Sequence, residues 1–163
     1  MNQEIELVKI AASQSPAVYE LMMSCLDYFS HWQKQQPSIE EVEHDLFYDL
    51  PPDTDLADKE VFAVMKVGQL VGLIDLLHDY PQEETTILGL MVFHPVVRHQ
   101  GLGTFCYQQV ENRCREKGQS KLRLGVYQSN GIGQKMWQKQ GFIEVSQQDS
   151  PQGRLLVMEK ELL

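Results

Sequence analysis

The chain has no apolar run near the length needed to span a bilayer, so a transmembrane helix is not expected. It begins Met1-Asn2-Gln3-Glu4 rather than with a basic segment followed by an apolar one, so no secretory leader is expected either. Cysteine is scarce: Cys25, Cys106 and Cys114 are too few and too irregularly spaced for a disulfide framework or a zinc site. Linkers, repeats and low-complexity segments are missing as well. Positive charge is in short supply, with 14 Lys and Arg against 23 Asp and Glu and a net charge of −9. Such a field repels phosphates, which argues against nucleic acid or an anionic membrane as partner and favours the approach of cationic molecules such as amines. What is present is ordinary for a globular fold: 163 residues with 42% hydrophobic and 23% charged. That length suits one domain over residues 1–163 that buries about two-thirds of its unfolded surface. Cytoplasm is the expected compartment.

Patterning along the chain gives an α/β domain with a mixed sheet. Glu4 to Ile10 alternates polar and apolar residues, as a half-buried strand does. Ser15-Pro16 opens a helix that carries Ala17, Leu21, Cys25 and Tyr28 at helical spacing and should fade near His31-Trp32. Ser38-Ile39-Glu40-Glu41 reads as a capping box, and Pro51-Pro52 ends the helix it starts. Val61–Val67 and Leu70–His78 are strands around a Gly68-Gln69 turn, and Thr85–Phe93 is a third, its apolar run suiting a strand covered on both faces. A helix from Gly101 to Lys117 stops at Gly118. The strand after it, Lys121–Val126, should lie parallel to Ile87–Phe93. Asn130–Gln140 is a helix, and Phe142–Val145 and Leu155–Met158 are strands joined around Ser150–Gly153. The order is β-α-α-β-β-β-α-β-α-β-β.

One stretch organises the rest. Val96-Val97-Arg98-His99-Gln100-Gly101-Leu102-Gly103-Thr104 takes the chain from a strand through a glycine-punctuated turn into a helix N-terminus. Successive N–H groups and the positive end of the helix dipole make such a turn an anion cradle. A Cβ at the glycines would block close approach or forbid positive φ. An ordinary strand-to-helix turn would read much the same in isolation.

Two separated segments resemble one family. Met91 to Gly103, with Arg98-x-x-Gly101-x-Gly103 after a strand and a proline, looks like the cofactor motif of the GNAT superfamily of acetyl-CoA-dependent N-acyltransferases. Asn130 to Phe142, an asparagine-headed helix ending in Gly141-Phe142, resembles its second motif, and Gly68-Gln69-Leu70-Val71-Gly72 its first hairpin. The resemblance implies a GNAT-like fold over nearly the whole chain. It also implies acetyl-CoA as co-substrate without a metal, and transfer of the acetyl group by direct attack of an amine on the thioester. His99, Gln100, Gly101, Leu102, Gly103 and Thr104 would bind the CoA pyrophosphate, with Arg98 near the phosphates. The backbone of Met91, Val92 and Phe93 would pair with the pantetheine arm as an added strand does. Asn130 would sit beside that arm, besides capping its helix. A slot between Phe93 and Val126 would hold the thioester.

The catalytic positions depart from the family's pattern. Where many members carry a tyrosine acid, this chain has Trp137, whose indole N–H donates a hydrogen bond but is no acid. Where some carry a glutamate base, it has Gly125. Substitutes are Asp75, the sole carboxylate in an apolar strand and expected near Leu88, His78 at the end of that strand, and Tyr127 after Val126. Each also has a plain reading: a solvated face for Asp75, an exposed strand end for His78, packing for Tyr127. Cys106 and Cys114 read as core filler. The aromatic and acidic residues Tyr28, Phe29, His31, Trp32, Glu40, Glu41, Glu43, Asp45, Phe47 and Tyr48 suit a cationic, partly apolar acceptor, a small-molecule amine or a peptide amine. Two functions follow: an N-acetyltransferase, or a CoA or acyl-CoA binding module with little catalysis, for which Trp137 and Gly125 speak. The final hairpin offers an edge for a homodimer; a monomer fits equally.

Overall fold

A computed structural model describes residues 4–25 and 37–162. Strand β1 (Ile5–Ile10) precedes helix α1 (Ser15–Ser24) and a short helix α2 (Ile39–Glu43), which continues as a wider π-helical turn, His44–Tyr48. Three antiparallel strands follow, β2 (Lys59–Lys66), β3 (Gln69–His78) and β4 (Thr85–Phe93). Helix α3 (Leu102–Glu116) crosses to β5 (Lys121–Tyr127), and α4 (Gly131–Lys139) leads to the hairpin β6 (Ile143–Ser150) and β7 (Gly153–Glu161). Among the described residues seven strands form one sheet in the order β1-β2-β3-β4-β5-β7-β6, with β4 and β5 parallel.

The sheet is covered on both faces, and the two cores differ in size. On one side α3 and α4 bury Leu102, Cys106, Tyr107, Val110, Cys114 and Trp137 against Ile74, Leu76, Leu88, Leu122, Leu124 and Val126. On the other, α1 and α2 bury Val18, Leu21, Val42 and Leu46 against Val61, Leu73 and Val92. Burial of these apolar faces is the main driving term of the fold, at about 25 cal/mol per Å².

Several local expectations change. The first hairpin turns at Val67-Gly68, both with positive φ (49° and 77°), because a two-residue primed turn matches strand twist; β3 already begins at Gln69. Helix α1 ends at Ser24, with Cys25 as its cap, so the expected end near His31-Trp32 falls outside the described residues. Ser38 does form the capping box: its side chain accepts from Glu41 N–H while Glu41 accepts from Ser38 N–H. The chain leaves the π-helical turn at Tyr48, ahead of Pro51. The last two strands are longer than their apolar cores, since ladder pairing runs on through the polar stretch Gln147–Ser150. Finally, β4 is not covered throughout: Thr85, Thr86 and Leu88 are buried, whereas Gly89 is exposed and Met91 and Phe93 are half-buried.

Candidate functional site

The opening in the sheet lies along β4. Its parallel ladder with β5 consists of Thr85, Thr86 and Ile87 opposite Lys121, Leu122 and Arg123, and no pairing continues beyond that stub. From Leu88 to Phe93 on one side and from Leu124 to Tyr127 on the other the two strands diverge. Unpaired main-chain N–H and C=O groups of two strands therefore face each other across a V, a place for an amide-bearing chain to lie as an added strand.

A bulge sets the pitch of β4 inside that V. Asp75 pairs with Leu90 and Leu76 with Leu88, so Gly89 is the extra residue. Before it Leu88 packs with α3; after it Leu90 and Val92 pack with α1 and α2, while Met91 and Phe93 turn towards α3. Asp75 therefore lies opposite Leu90, not Leu88 as its spacing suggested. It is close to the bulge: a Cβ on Gly89 would meet Asp75 Oδ2 at 3.2 Å.

The glycine turn caps the open end of the V. Pro95–Val97 form a short 3-10 turn headed by His94, whose Nδ1 accepts from Val96 N–H at 3.1 Å. Arg98 donates through Nε to the Phe93 carbonyl at 2.9 Å, which fastens the turn to the end of β4. His99 and Gly101 both take positive φ (62° and 80°), and Gly101 starts α3 without a side-chain cap. The first N–H groups of α3, from Leu102 to Thr104, have no carbonyl one turn back, so they form the positive pole of a 15-residue helix. At Gly103 a Cβ would meet only the Phe93 ring, at 3.7 Å. The protein's own packing thus leaves room there for an anion to approach the backbone. Asn130 heads α4, and its side-chain oxygen accepts from Gly133 N–H at 2.9 Å.

Asp75 and Tyr127 lie on the α1 and α2 side of the sheet, opposite the face that carries α3. Asp75 follows Leu73 by two positions on β3, and Tyr127 alternates with the α3-facing Leu124 and Val126 on β5. Asp75 is not solvated: it is 14% exposed and Lys59 Nζ stands 2.6 Å from Oδ1. Burial pushes its carboxyl above the usual range, and the Lys59 ammonium only partly offsets this. Tyr127 is the last residue of β5, and its carbonyl accepts from Asn130 N–H and from the Gln134 amide. Gly125 lies under Leu155, whose side chain would stand 3.0 Å from a Cβ. Trp137 is buried edge-on between Tyr107 and Phe142, with ring centroids 5.7 and 5.4 Å away.

His78 is elsewhere. It faces α3 at the closed end of the V, opposite Thr86, and is buried rather than exposed. Its Nε2–H donates to Glu60 Oε1 at 2.7 Å, and Nδ1 stands 2.8 Å from the Thr86 hydroxyl. Burial holds the imidazole below its usual value, Glu60 offsetting in part. Glu60 is fully buried; desolvation raises its carboxyl, but hydrogen bonds from Arg113 and His78 outweigh that and hold it at about 2. Sequence reasoning missed Glu60, Arg113 and Lys59, because each partner comes from a different element. Burial pushes Cys106 up to about 12 and Cys114 up to about 11, in keeping with core thiols. Phe47 is core and Tyr48 exposed; Tyr28, Phe29, His31 and Trp32 lie outside the described residues.

Known proteins share this fold. A model described as the acetyltransferase (GNAT) family matches residues 17–142. An acetyltransferase structure from Thermus thermophilus is 22% identical, covers 97% of both chains and superposes with a TM-score of 0.81. A PaiA N-acetyltransferase from Thermoplasma acidophilum, solved with coenzyme A, is 19% identical with TM-score 0.71 over 96% of this chain and 98% of its own. The ribosomal-protein-S18-alanine N-acetyltransferase from Escherichia coli is 14% identical with TM-score 0.71, over 97% and 94%. A search of curated proteins gave no match.

Proposed function

The chain belongs to the acetyltransferase (GNAT) family, and on that premise we propose that it transfers an acetyl group from acetyl-CoA to a primary amine of a small molecule or peptide, in the cytoplasm. The observation that carries the reading is the V between β4 and β5, closed at Ile87 and Arg123 and headed at its open end by the uncapped N-terminus of α3. Backbone N–H groups from His99 to Thr104 hold the pyrophosphate, with Arg98 beside them, and Gly103 leaves space for it. Met91, Val92 and Phe93 offer main-chain groups to the pantetheine amides, and Asn130 stands across the V from them. Acetyl-CoA supplies an activated acyl group whose thiol leaves readily.

The V joins the two faces of the sheet. On the face opposite α3, Asp75 accepts a proton from the incoming ammonium or its relayed water, and Tyr127 returns one to the departing thiolate. Raised by burial, Asp75 is a better base than an exposed aspartate, and Lys59 fixes its orientation. Positioning of the amine against the thioester supplies much of the rate. His78, bound at both nitrogens on the other face, takes no part in this scheme. The Escherichia coli neighbour is named as a ribosomal-protein-S18-alanine N-acetyltransferase, which fits an acceptor of this class.

The test is thiol release from acetyl-CoA across a panel of monoamines, polyamines and peptide N-termini. Turnover with one or more amines is the expected outcome. Tight CoA binding with no turnover across the panel would instead support a CoA-binding module with little catalysis, the reading that Trp137 in the core and Gly125 under Leu155 favour.

A further inference from the structure

Two glycines make a window in the V. The register that pairs Ile87 with Arg123, continued by two residues, sets Gly89 opposite Gly125. Both are exposed, and both belong to the face opposite α3. Neither lip of the V therefore carries a side chain at this level on that face. On the other face Leu88, Leu124 and Val126 are buried in the core beneath α3 and α4. A group lying between the lips is approachable from the Asp75 side and shielded on the other.

Bare lips let side chains of the next strands lean inwards. From β3, Asp75 reaches over Gly89: Oδ2 would stand 3.2 Å from a Cβ there, while Oδ1 faces Lys59. From β7, Leu155 reaches over Gly125, with Cδ2 at 3.0 Å and Cδ1 at 3.1 Å from where a Cβ would be. Leu155 pairs with Tyr127 in the ladder, so its side chain crosses diagonally to lie over Gly125. The window thus has a carboxylate on one side and an isobutyl group on the other. Charge on the surrounding strands sharpens the contrast. β3, β4, β5 and β7 carry three carboxylates, and each already meets a cation: Asp75 meets Lys59, Glu159 meets Arg123 and Lys121, and Glu161 meets Lys121. A second ammonium on the acceptor would leave water against Leu155, with no acid on these strands set aside for it. An alkyl or aryl group in the same place gains by burial instead.

We propose that Leu155 determines acceptor specificity, and that the acceptor is a monoamine borne on an apolar chain or ring, its amine turned to Asp75 and its apolar part to Leu155. This rests on the proposed acetyl transfer and narrows its acceptor. Gly125 then has a part in the selection as well, because any side chain there would push Leu155 off the lip.

Steady-state kinetics with acetyl-CoA test it, using the straight-chain amines from ethylamine to hexylamine, and hexamethylenediamine, spermidine and a peptide N-terminus beside them. In the wild type kcat/KM is expected to rise about fourfold per methylene, the gain from burying one CH₂. Hexamethylenediamine should fall about tenfold or more below hexylamine. Leu155→Ala should flatten the rise with chain length. Leu155→Asp should reverse the ranking, so that the diamine becomes the better acceptor, a gain that misfolding cannot imitate. Gly125→Ser keeps Leu155 but displaces it and sets a hydroxyl on the lip, so it too should flatten the rise. CoA affinity, measured by calorimetry, should match the wild type in all three variants. A wild-type kcat/KM that is indifferent to chain length, or highest for the diamine, spermidine or the peptide, overturns the inference while leaving acetyl transfer intact. An unchanged ranking in Leu155→Ala and Gly125→Ser does the same. CoA binding without turnover of any amine overturns the acetyltransferase reading, and this inference with it.

Discussion

Asp75→Asn removes the carboxylate nearest the Gly89 bulge and leaves Lys59 buried beside an amide. A base lost from an acyl transfer lowers kcat by about 10²–10⁴-fold, and that is the expectation here. In the wild type, activity should fall as pH drops through the Asp75 pKa, and earlier than for an ordinary aspartate, because burial raises it. The acid limb of the kcat profile should disappear in the variant; an unchanged rate and profile would remove Asp75 from the mechanism. Gly103→Leu separates binding from folding. Outside its chain neighbours and its own helix backbone, the atom nearest the new Cβ is Phe93 Cε2 at 3.7 Å, and leucine favours a helix over glycine by about 0.5–1 kcal/mol, so melting temperature should hold or rise. CoA affinity should fall at least tenfold in the same protein. The glycine turn was legible in the sequence because local backbone chemistry alone dictates it. The settings of Asp75 and His78 were not. Three positions apart on one strand, they fall on opposite faces of the sheet, and their partners Lys59 and Glu60 adjoin each other on β2.

At the scale of the element, Asn130 does two jobs that substitution can divide. Asn130→Ala removes the cap on Gly133 N–H and should cost about 1 kcal/mol, read as a lower urea midpoint. Asn130→Asp keeps the cap and the stability, yet sets a negative charge beside the V, so CoA affinity should drop without a loss of midpoint. Equal CoA affinity in both variants would confine Asn130 to capping. Elements with strong local signals match their sequence patterns: β4 from Thr85 to Phe93, α3 within a residue at each end, and the Ser38 box. The bulge left less trace. Gly89 inside an apolar run signals one, but its register depends on the strand opposite. The tails of β6 and β7 were invisible for a similar reason: Gln147 to Ser150 has no apolar alternation, and pairing alone makes it a strand.

For the whole molecule the order of elements specified one mixed sheet, and the net charge carried no information about the fold. The acid stability of the fold has a local origin that composition conceals. Glu60 is lowered from 4.5 to about 2 on folding, so its contribution of about 3 kcal/mol is complete above pH 4.5 and lost as pH falls through about 2. Of that, about 2 kcal/mol goes between pH 7 and pH 3. Urea titrations of wild type and Glu60→Gln at the two pH values should differ by this amount, the variant being weaker at pH 7 and less sensitive to acid.

The position of Glu60 gives the split between β4 and β5 a mechanical meaning. A sheet parted along part of one seam resembles a plate with a crack, and a crack extends from its tip. The tip here is the three-residue ladder at Ile87 and Arg123. Immediately around it, Glu60 from β2, His78 from β3, Thr86 from β4, Arg113 from α3 and Gln119 from the α3–β5 loop join through hydrogen bonds, with Lys9 of β1 3.5 Å from Glu60. The cluster is a rivet. It lets the seam stand open at one end without running through to the other, and loosening it should speed amide hydrogen exchange at Leu122 and Arg123 before anything at the mouth of the V is felt.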